Sequence, residues 1–338
     1  MKPIRLAIIG CGGFVRYHLR AIFDEKNPIE EFKVVGLVDP VRKNALARRK
    51  EFLPRKRTPI FDNHKQMLKE VAPDAVIVST PHTLHFRHCF DALSAGAHVM
   101  VEKPMVTRSD DARRLVARAG KAGKVLQIAI QGTYTDTFAY TRKLIEDGTV
   151  GPLQLVTGVM AQGWMKGTRG KWRQNPRLSG GGQLYDSTAH VLSAMVFLVD
   201  SPVTEAFCWT DNKDTKVDIN AVATIRFANG CMATVTSGGD CPTFHSHLVF
   251  QGEGALVEIS PHGGSFRVHS RSLEKEITKV PRGWKVPTVS PARNFADAIL
   301  GRAESRCGAR LGLLLAELMD ALYASAATGK PVKIKRKA

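Results

Sequence analysis

The amino-acid sequence predicts an α/β protein with two domains, a parallel sheet first and a mainly antiparallel sheet after it. Over the first 130 residues short apolar runs alternate with helical patterns, which is typical of βαβ units. Further along, strand-like segments follow one another across turn signals such as Ala228-Asn229-Gly230, which indicates antiparallel pairing. A chain of 338 residues is also too long for one ordinary core. We expect domains at 1–130 and 131–338.

Six apolar runs in the first half predict parallel strands, which we expect to be buried on both faces. They read IRLAIIG, KVVGLVD, TPIF, AVIVST, HVMVEKP and VLQIAI. The patterns between them predict one helix that ends near Asp24 and four more at 41–53, 63–71, 84–95 and 109–122.

The second half is predicted to begin with a helix at 136–147. Strands are predicted at 153–161, 203–211, 217–227, 231–239, 246–251 and 254–259. A helix at 184–199 interrupts this series. Two helices at 291–300 and 308–328 and a strand at 332–334 close the chain.

The formal net charge is +18, and much of it comes from the segments 42–57 and 333–338. Such a surplus could attract nucleic acid, anionic lipid or an acidic substrate. Base-stacking surfaces need aromatic residues among the charges, and the segment 42–57 holds only Phe52. We therefore interpret the charge as a solvated surface and do not expect a nucleic-acid partner.

The cysteines and the N-terminus point to the cytoplasm. The six cysteines are scattered without C-x-x-C pairs, which is typical of reduced thiols rather than of disulfides or a zinc site. The N-terminus has no signal-peptide pattern, and no apolar run is expected to reach membrane-spanning length. A cytoplasmic protein without a membrane partner is the expectation.

A glycine-rich turn follows the first strand and resembles a dinucleotide-binding fingerprint with one position changed. Gly10 permits a tight turn, and Gly12 lets the backbone approach a pyrophosphate, with Gly13 adding freedom beside it. After Phe14, Val15 stands where the third glycine would let the helix pack closely. The helix N-terminus still offers N–H groups to phosphate, so we expect a cofactor site despite Val15.

Asp39 ends the second strand, 27 residues after Gly12. An acidic group at this place accepts hydrogen bonds from an adenosine ribose and repels a 2′-phosphate, so NAD is favoured over NADP. Arg42 and Lys43 lie close enough to leave NADP open as a second cofactor. Asp39 also precedes Pro40 and a predicted helix, so capping that helix is a compatible second role.

Further motifs run through nearly the whole chain. They are STPHTLHFRHCFDALSAGAHVMVEKP at 79–104, KLIEDGTVGPL, SGGGQLYDSTAH at 179–190, and an ending from NFADAIL to SAATGKPVKI. With them the chain resembles the glucose-fructose oxidoreductase, inositol dehydrogenase and MocA family of NAD(P)-dependent oxidoreductases. The resemblance implies an N-terminal Rossmann domain and a C-terminal α/β domain whose open sheet makes the oligomer contact. A homodimer or homotetramer is therefore expected.

The resemblance also implies the catalytic residues. These are Lys103, Asp186 and His190, which in the family face the nicotinamide and the substrate hydroxyl. Asp186 and His190 are four residues apart, which predicts one face of a helix. We expect His190 to be the base, Asp186 to orient it or grip a neighbouring hydroxyl, and Lys103 to stabilise alkoxide charge or relay the proton. The expected cofactor contacts are Gly10, Gly12, Gly13, Phe14, Val15, Asp39, Arg42, Ser79, Thr80, His82, His85, Glu102 and Lys103.

A substrate region is expected in the loop GWMKGTRGKWRQNPRLSGGG, because aromatic faces beside polar donors suit a sugar ring. An alternative is that the tryptophans only pin the loop to the sheet. His245 either lines the pocket or covers the sheet. Substrate contacts are expected at Tyr134, Trp164, Trp172, Arg173 and His245. No metal is expected, since the histidines at 82, 85 and 88 have no acidic or thiolate cluster.

The leading functional hypothesis is an NAD-dependent oxidoreductase that transfers hydride between nicotinamide and a secondary alcohol of a sugar, polyol or glycoside. One alternative is a lyase or glycosidase-like enzyme that keeps NAD bound and oxidises the sugar transiently. Another is a cofactor-binding regulator with a basic nucleic-acid-binding surface, which the presence of Lys103, Asp186 and His190 disfavours.

Overall fold

The chain forms two compact units. A computed structural model describes residues 2–54, 57–270, 276–284 and 290–334. The first unit consists of 1–106, 110–129 and 288–313, and the second of 107–109, 130–287 and 314–338.

A six-stranded parallel sheet forms the centre of the first unit. Its strands are β1 (Ile4–Ile9), β2 (Phe32–Val38), β3 (Ile60–Phe61), β4 (Ala75–Val78), β5 (His98–Glu102) and β6 (Leu126–Ala129). The helices between them are α1 (Val15–Ile22), α2 (Arg42–Phe52), α3 (His64–Val71), α4 (His85–Ser94) and α5 (Ser109–Ala122). The strand order β3-β2-β1-β4-β5-β6 reverses direction between β1 and β4. Ligands of such sheets bind at that switch point, beyond the carboxyl ends of the strands.

An eight-stranded sheet forms the second unit. Its strands are β7 (Leu153–Ala161), β8 (Val203–Asp211), β9 (Asn220–Phe227), β10 (Met232–Gly238), β11 (His245–Gly252), β12 (Ala255–Ile259), β13 (Phe266–Ser270) and β14 (Val332–Lys333). The other α-helices of the described residues are α6 (Asp136–Glu146), α7 (Trp164–Thr168), α8 (Pro176–Ser179), α9 (Thr188–Val199), α10 (Pro291–Ile299) and α11 (Ala309–Thr328). The order is β13-β12-β11-β7-β10-β9-β8-β14, and among these described strands only β7 and β10 pair in parallel. The predicted fold class is confirmed.

Helix α9 covers one face of the second sheet. Gly158 of β7 lies so close to this helix that an added Cβ would be 2.6 Å from Val191. On the same strand-facing side lies Leu248 of β11, which would be 3.2 Å from that Cβ. Residues that alternate with these along the strands therefore point to the uncovered face.

Late in the chain, α10 returns to the first unit. Its Ala292, Phe295 and Ala296 are buried in the same core as β1, β2 and α1. The side-chain amide of Gln127 on β6 donates to the carbonyl of Pro291, 2.7 Å away. The sequence prediction had assigned this segment to the second domain, because local periodicity shows a buried face but not which sheet covers it.

Four segments differ from the prediction: β13, α7, α8 and the start of α9. Strand β13 and the short helices α7 and α8 were not predicted, since each is too short to show a period. Helix α9 begins at Thr188 rather than at 184, because the N–H groups of Gly182 and Leu184 donate to the Asp218 carboxylate, at 2.7 and 2.8 Å. Asp186 therefore lies in the turn that leads into α9.

Helix α11 is long and apolar enough to cross a membrane by length and composition, contrary to the sequence expectation, although half of its apolar window is buried. Its C-terminal part makes the contacts of a core helix. Asp320 accepts a hydrogen bond from the N–H of Ser109 at 2.8 Å, and Ser325 accepts one from the N–H of Cys208 at 3.0 Å. Buried polar bonds of this kind are typical of a helix packed in a globular core.

Candidate active site

The glycine turn at the end of β1 leaves room for a ligand. Gly10 has φ +93°, and a Cβ there would be 2.4 Å from the carbonyl oxygen of Ser79, so only glycine is tolerated. A Cβ added at Gly12 or Gly13 would meet no atom within 4 Å. The backbone of these two residues therefore borders open space, as a pyrophosphate cradle requires.

Val15 fills the core instead of opening the turn. Its side chain is fully buried with Leu19 and Ile22, so only its backbone is available to a cofactor. Phe14, directly before it, is 42% exposed and stacks on Tyr17 with ring centroids 6.1 Å apart. The two neighbours thus face opposite environments.

Asp39 ties the glycine turn to the start of α2. Its Oδ2 accepts a hydrogen bond from the N–H of Cys11 at 2.9 Å. Its Oδ1 accepts from the N–H of Val41 at 2.8 Å and from Asn44 Nδ2 at 3.2 Å. A carboxylate offers about four acceptor positions, so these bonds leave capacity for a ribose hydroxyl. Arg42 is exposed at the first turn of α2.

The thiol of Cys11 is unreactive. Burial, together with the nearby charge of Asp39, raises its pKa to about 12. All six cysteines are free, and only Cys241 is not fully buried. Among the residues that the structure describes, no group of three or more histidine, cysteine or acidic side chains suits a metal ion.

The loop after β4 holds Ser79, Thr80 and the predicted histidines. His82 is buried, and its ring lies 5.9 Å from that of His85. His85 is fully buried, with Nε2 2.8 Å from the carbonyl oxygen of Thr80 and Nδ1 2.7 Å from that of Pro104. Burial lowers its pKa, while the two carbonyl contacts act against that shift. His85 therefore holds the end of β4 to the turn after β5.

The two chain neighbours of Lys103 each contact a buried histidine. Glu102 Oε1 lies 2.5 Å from Nε2 of the fully buried His18 on α1, and Pro104 meets His85 as described above. The Lys103–Pro104 peptide bond is cis. His18 was not predicted, although its place on the buried face of α1 was the available signal.

In the second unit, a buried carboxylate is surrounded by the predicted loop residues. Asp186 Oδ2 accepts a hydrogen bond from Trp164 Nε1 at 2.8 Å and one from Arg173 Nε at 2.7 Å. The guanidinium of Arg173 lies over the Trp172 ring, 4.6 Å from its centroid. Trp164 is buried in a small apolar cluster, which also fits the alternative that it pins the loop.

His190 lies on α9 and is partly exposed. Its ring centroid is 4.8 Å from that of His262, a residue that the sequence analysis did not select. His262 Nδ1 is 3.0 Å from Ser246 Oγ on β11. Because β11 alternates, His245 points to the opposite face from Ser246, which favours sheet cover over pocket lining for His245.

Two further residues support this region. Tyr134 is buried in a short turn at 131–134, and the same turn touches Pro261, since a Cβ on Gly132 would be 2.5 Å from the Pro261 carbonyl oxygen.

Asp218 was not predicted. It accepts bonds from the N–H groups of Gly182 and Leu184 and from the Tyr323 hydroxyl at 2.6 Å, and it thereby fixes the glycine loop that precedes Asp186.

Both halves of the chain match one family. Residues 4–130 match the model of an oxidoreductase family with an NAD-binding Rossmann fold, and residues 138–258 match the GFO/IDH/MocA C-terminal domain. The chain belongs to the GFO/IDH/MocA family. It is an NAD-binding oxidoreductase of that family, which confirms the resemblance seen in the sequence.

Named relatives include dehydrogenases of sugars. D-glucoside 3-dehydrogenase of Escherichia coli is 25% identical, with 98% of each chain aligned. Among solved structures, aldose-aldose oxidoreductase from Caulobacter crescentus with glycerol has a TM-score of 0.84 at 23% identity, covering 98% of this chain and 100% of that one. The WlbA dehydrogenase from Bordetella pertussis with NADH and UDP-GlcNAcA has a TM-score of 0.83 at 21% identity, covering 100% and 99%.

Lys103 belongs to the first unit, whereas Asp186 and His190 belong to the second. Their convergence on one substrate hydroxyl was predicted from the sequence. It stays a prediction, as do the individual cofactor and substrate contacts.

Proposed function

We propose that this protein oxidises a secondary alcohol of a sugar, polyol or glycoside with NAD. The observation that carries the proposal is the buried Asp186 carboxylate, held by Trp164 and Arg173 and four residues before His190. Fixed polar groups beside the partly exposed ring of Trp172 suit a sugar ring, which has many hydroxyls and apolar C–H surfaces. The named sugar dehydrogenases among the relatives support the same substrate class.

The first unit fits NAD. Gly12 and Gly13 would hold the pyrophosphate with their backbone, beside the N-terminus of α1. Asp39 would accept a ribose hydroxyl, and its charge favours NAD over NADP. When bound, NAD accepts the hydride that leaves the alcohol carbon.

The chain's own residues then manage the hydroxyl proton. His190 accepts this proton, because a histidine titrates near neutral pH and serves well as a base there. Asp186 offers a hydrogen-bond acceptor at a fixed position for a neighbouring hydroxyl. Lys103 stabilises the negative charge that develops on the oxygen, and the bonds made by His18 and His85 set the main chain on either side of it.

A substrate panel tests this proposal. Glucosides, aldoses, inositols and simple secondary alcohols would each be mixed with the protein and NAD or NADP, and reduced nicotinamide would be followed by absorbance. We expect net reduction with at least one carbohydrate and a preference for NAD. Bound NAD that turns over without net reduction would indicate the lyase or glycosidase-like alternative. Salt-sensitive DNA binding without any turnover would indicate the regulator.

We also propose that the uncovered face of the second sheet binds a second copy of the chain. Adjacent strands place four large apolar side chains on that face with exposed fractions of 41 to 63%: Leu155, Trp209, Val222 and Met232. Trp209 pairs with Val222, and Met232 with Leu155, so this face carries two pairs of exposed apolar side chains. Monomeric proteins seldom leave such a patch uncovered. Light scattering should give a dimer or tetramer, and Val222→Glu should shift it toward monomer; a monomer at every concentration would contradict this.

A cytoplasmic location is proposed on the six free cysteines, five of them buried. Cell fractionation tests it, and recovery with a membrane or a secreted fraction would contradict it.

A further inference from the structure

We propose that His262 carries the proton that His190 removes from the substrate out to solvent. The inference rests on the proposed function, in which His190 is the base. It assigns a role to a side chain in the loop between β12 and β13 that no sequence motif singled out.

The two imidazoles are neighbours with different access to water. Their ring centroids are 4.8 Å apart and their planes meet at 68°. His190 is partly buried on α9, whereas His262 is exposed. His190 thus has beside it a second imidazole with greater exposure to water.

The position of His262 is built into the fold. Its Nδ1 is 3.0 Å from the hydroxyl of Ser246, a buried residue on the helix-covered face of the sheet. The ring of Phe244 meets it edge to face at 5.1 Å. The ring is therefore held on two sides, which limits the freedom usual for an exposed side chain.

The loop that carries His262 is itself a fixed turn. Ser260 accepts a hydrogen bond from the N–H of Gly263 at 3.1 Å, and its own N–H donates to Ser265 at 3.2 Å. Gly263 and Gly264 have φ of +83° and +99°, values that favour glycine, so the turn depends on them. The close approach of Gly132 to Pro261 holds the other end of the loop.

The proton balance follows from the reaction. The substrate hydroxyl gives its proton to His190, which becomes imidazolium as the carbon loses its hydride to NAD. His190 then passes the proton to His262, and His262 releases it to water or buffer, which restores both rings to the neutral form. The net products are the ketone, reduced NAD and one proton in solution.

The test replaces His262 with Gln, which can bond to Ser246 but cannot carry a proton at neutral pH. In dilute buffer we expect kcat to fall roughly tenfold, a moderate share of the usual acid–base contribution. Added imidazole should restore most of the rate, and NAD affinity, measured by fluorescence titration, should stay unchanged. His269→Gln is the matched control, since His269 is an exposed histidine on β13 whose Nε2 lies 3.2 Å from Glu276, and its replacement should not change kcat or its buffer dependence.

Two kinetic results would overturn the proposed proton relay. Unchanged kcat of His262→Gln in dilute buffer would overturn the relay, and so would a loss that imidazole leaves unrepaired in both His262→Gln and the smaller His262→Ala, which would indicate packing alone. An NMR titration adds a readout other than activity, since the relay predicts that His262→Gln changes the titration curve of His190. A His190→Ala enzyme with normal turnover would refute the proposed base itself, a result that is separate from any result at position 262.

Discussion

Replacing Gly12 with Ala should weaken NAD binding without harming the fold. The added Cβ would meet no protein atom within 4 Å, because it points into the open space beside the glycine turn. Where the backbone tolerates it, a Gly→Ala change alters stability little, by less than about 1 kcal/mol, and often favourably through the unfolded chain. If a pyrophosphate runs along this backbone, the methyl group occupies its path, and we expect NAD affinity to fall at least tenfold, about 1.4 kcal/mol.

Gly10→Ala is the matched control, with the opposite signature. Its φ of +93° is strained for alanine, and its Cβ would be 2.4 Å from the backbone oxygen of Ser79. Strain of this kind costs about 1 to 3 kcal/mol before the clash is added, so this variant should lose about 3 kcal/mol or more of unfolding free energy. Urea unfolding and fluorescence titration with reduced NAD measure both variants. Normal NAD affinity in a stable Gly12→Ala protein would refute the cradle.

Three more predictions follow from buried groups. Val15→Gly restores the third glycine of the fingerprint but leaves a cavity at a fully buried site. We expect it to lose about 2 to 3 kcal/mol of unfolding free energy and to gain no NAD affinity. An equally stable variant that binds NAD more tightly would show that Val15 obstructs the cofactor. Asp218 accepts hydrogen bonds from Gly182, Leu184 and Tyr323, and Asp218→Asn turns one of its acceptor oxygens into a donor. This variant should lose about 3 kcal/mol of unfolding free energy and have a lower kcat, whereas Tyr323→Phe should lose about 1 to 2 kcal/mol. Equal losses of the two variants in urea unfolding would contradict this. Burial lowers the pKa of His88 from 6.5 to about 4, so protonation of His88 costs the folded state about 3 kcal/mol of unfolding free energy between pH 6.5 and pH 4. His88→Gln should therefore flatten the decline in unfolding free energy over that pH window. An unchanged slope would count against this prediction.

The sequence predicted the parts of the fold that local patterns encode. The parallel strands, the glycine turn and most of the second sheet have apolar periods or turn residues that mark them, as at Asp39 and Gly10. The destination of α10 could not be predicted, because its amphipathic pattern fits burial against either sheet. The start of α9 was misplaced, because the competing acceptor for its first N–H groups is Asp218, 36 residues from Gly182.

In the candidate site too, sequence motifs revealed some residues, while others depend on tertiary contacts. Residues in motifs, such as Lys103 and His190, were selected by the sequence. Two side chains that support them, His18 and Asp218, were not, since they act through tertiary contacts with residues 36 to 105 positions away. His262 could not be found for the same reason, because only the pairing of β11 with β12 brings its loop beside Ser246.

Steady-state kinetics of the Lys103→Ala and His190→Ala variants test the central claim most directly. With the best substrate of the carbohydrate panel, we expect each variant to lower kcat by roughly a hundredfold or more, the scale of acid–base catalysis, while NAD affinity stays almost unchanged. Near-normal turnover by both variants, with any carbohydrate that the unaltered protein oxidises, would contradict the assignment of Lys103 and His190 to the reaction.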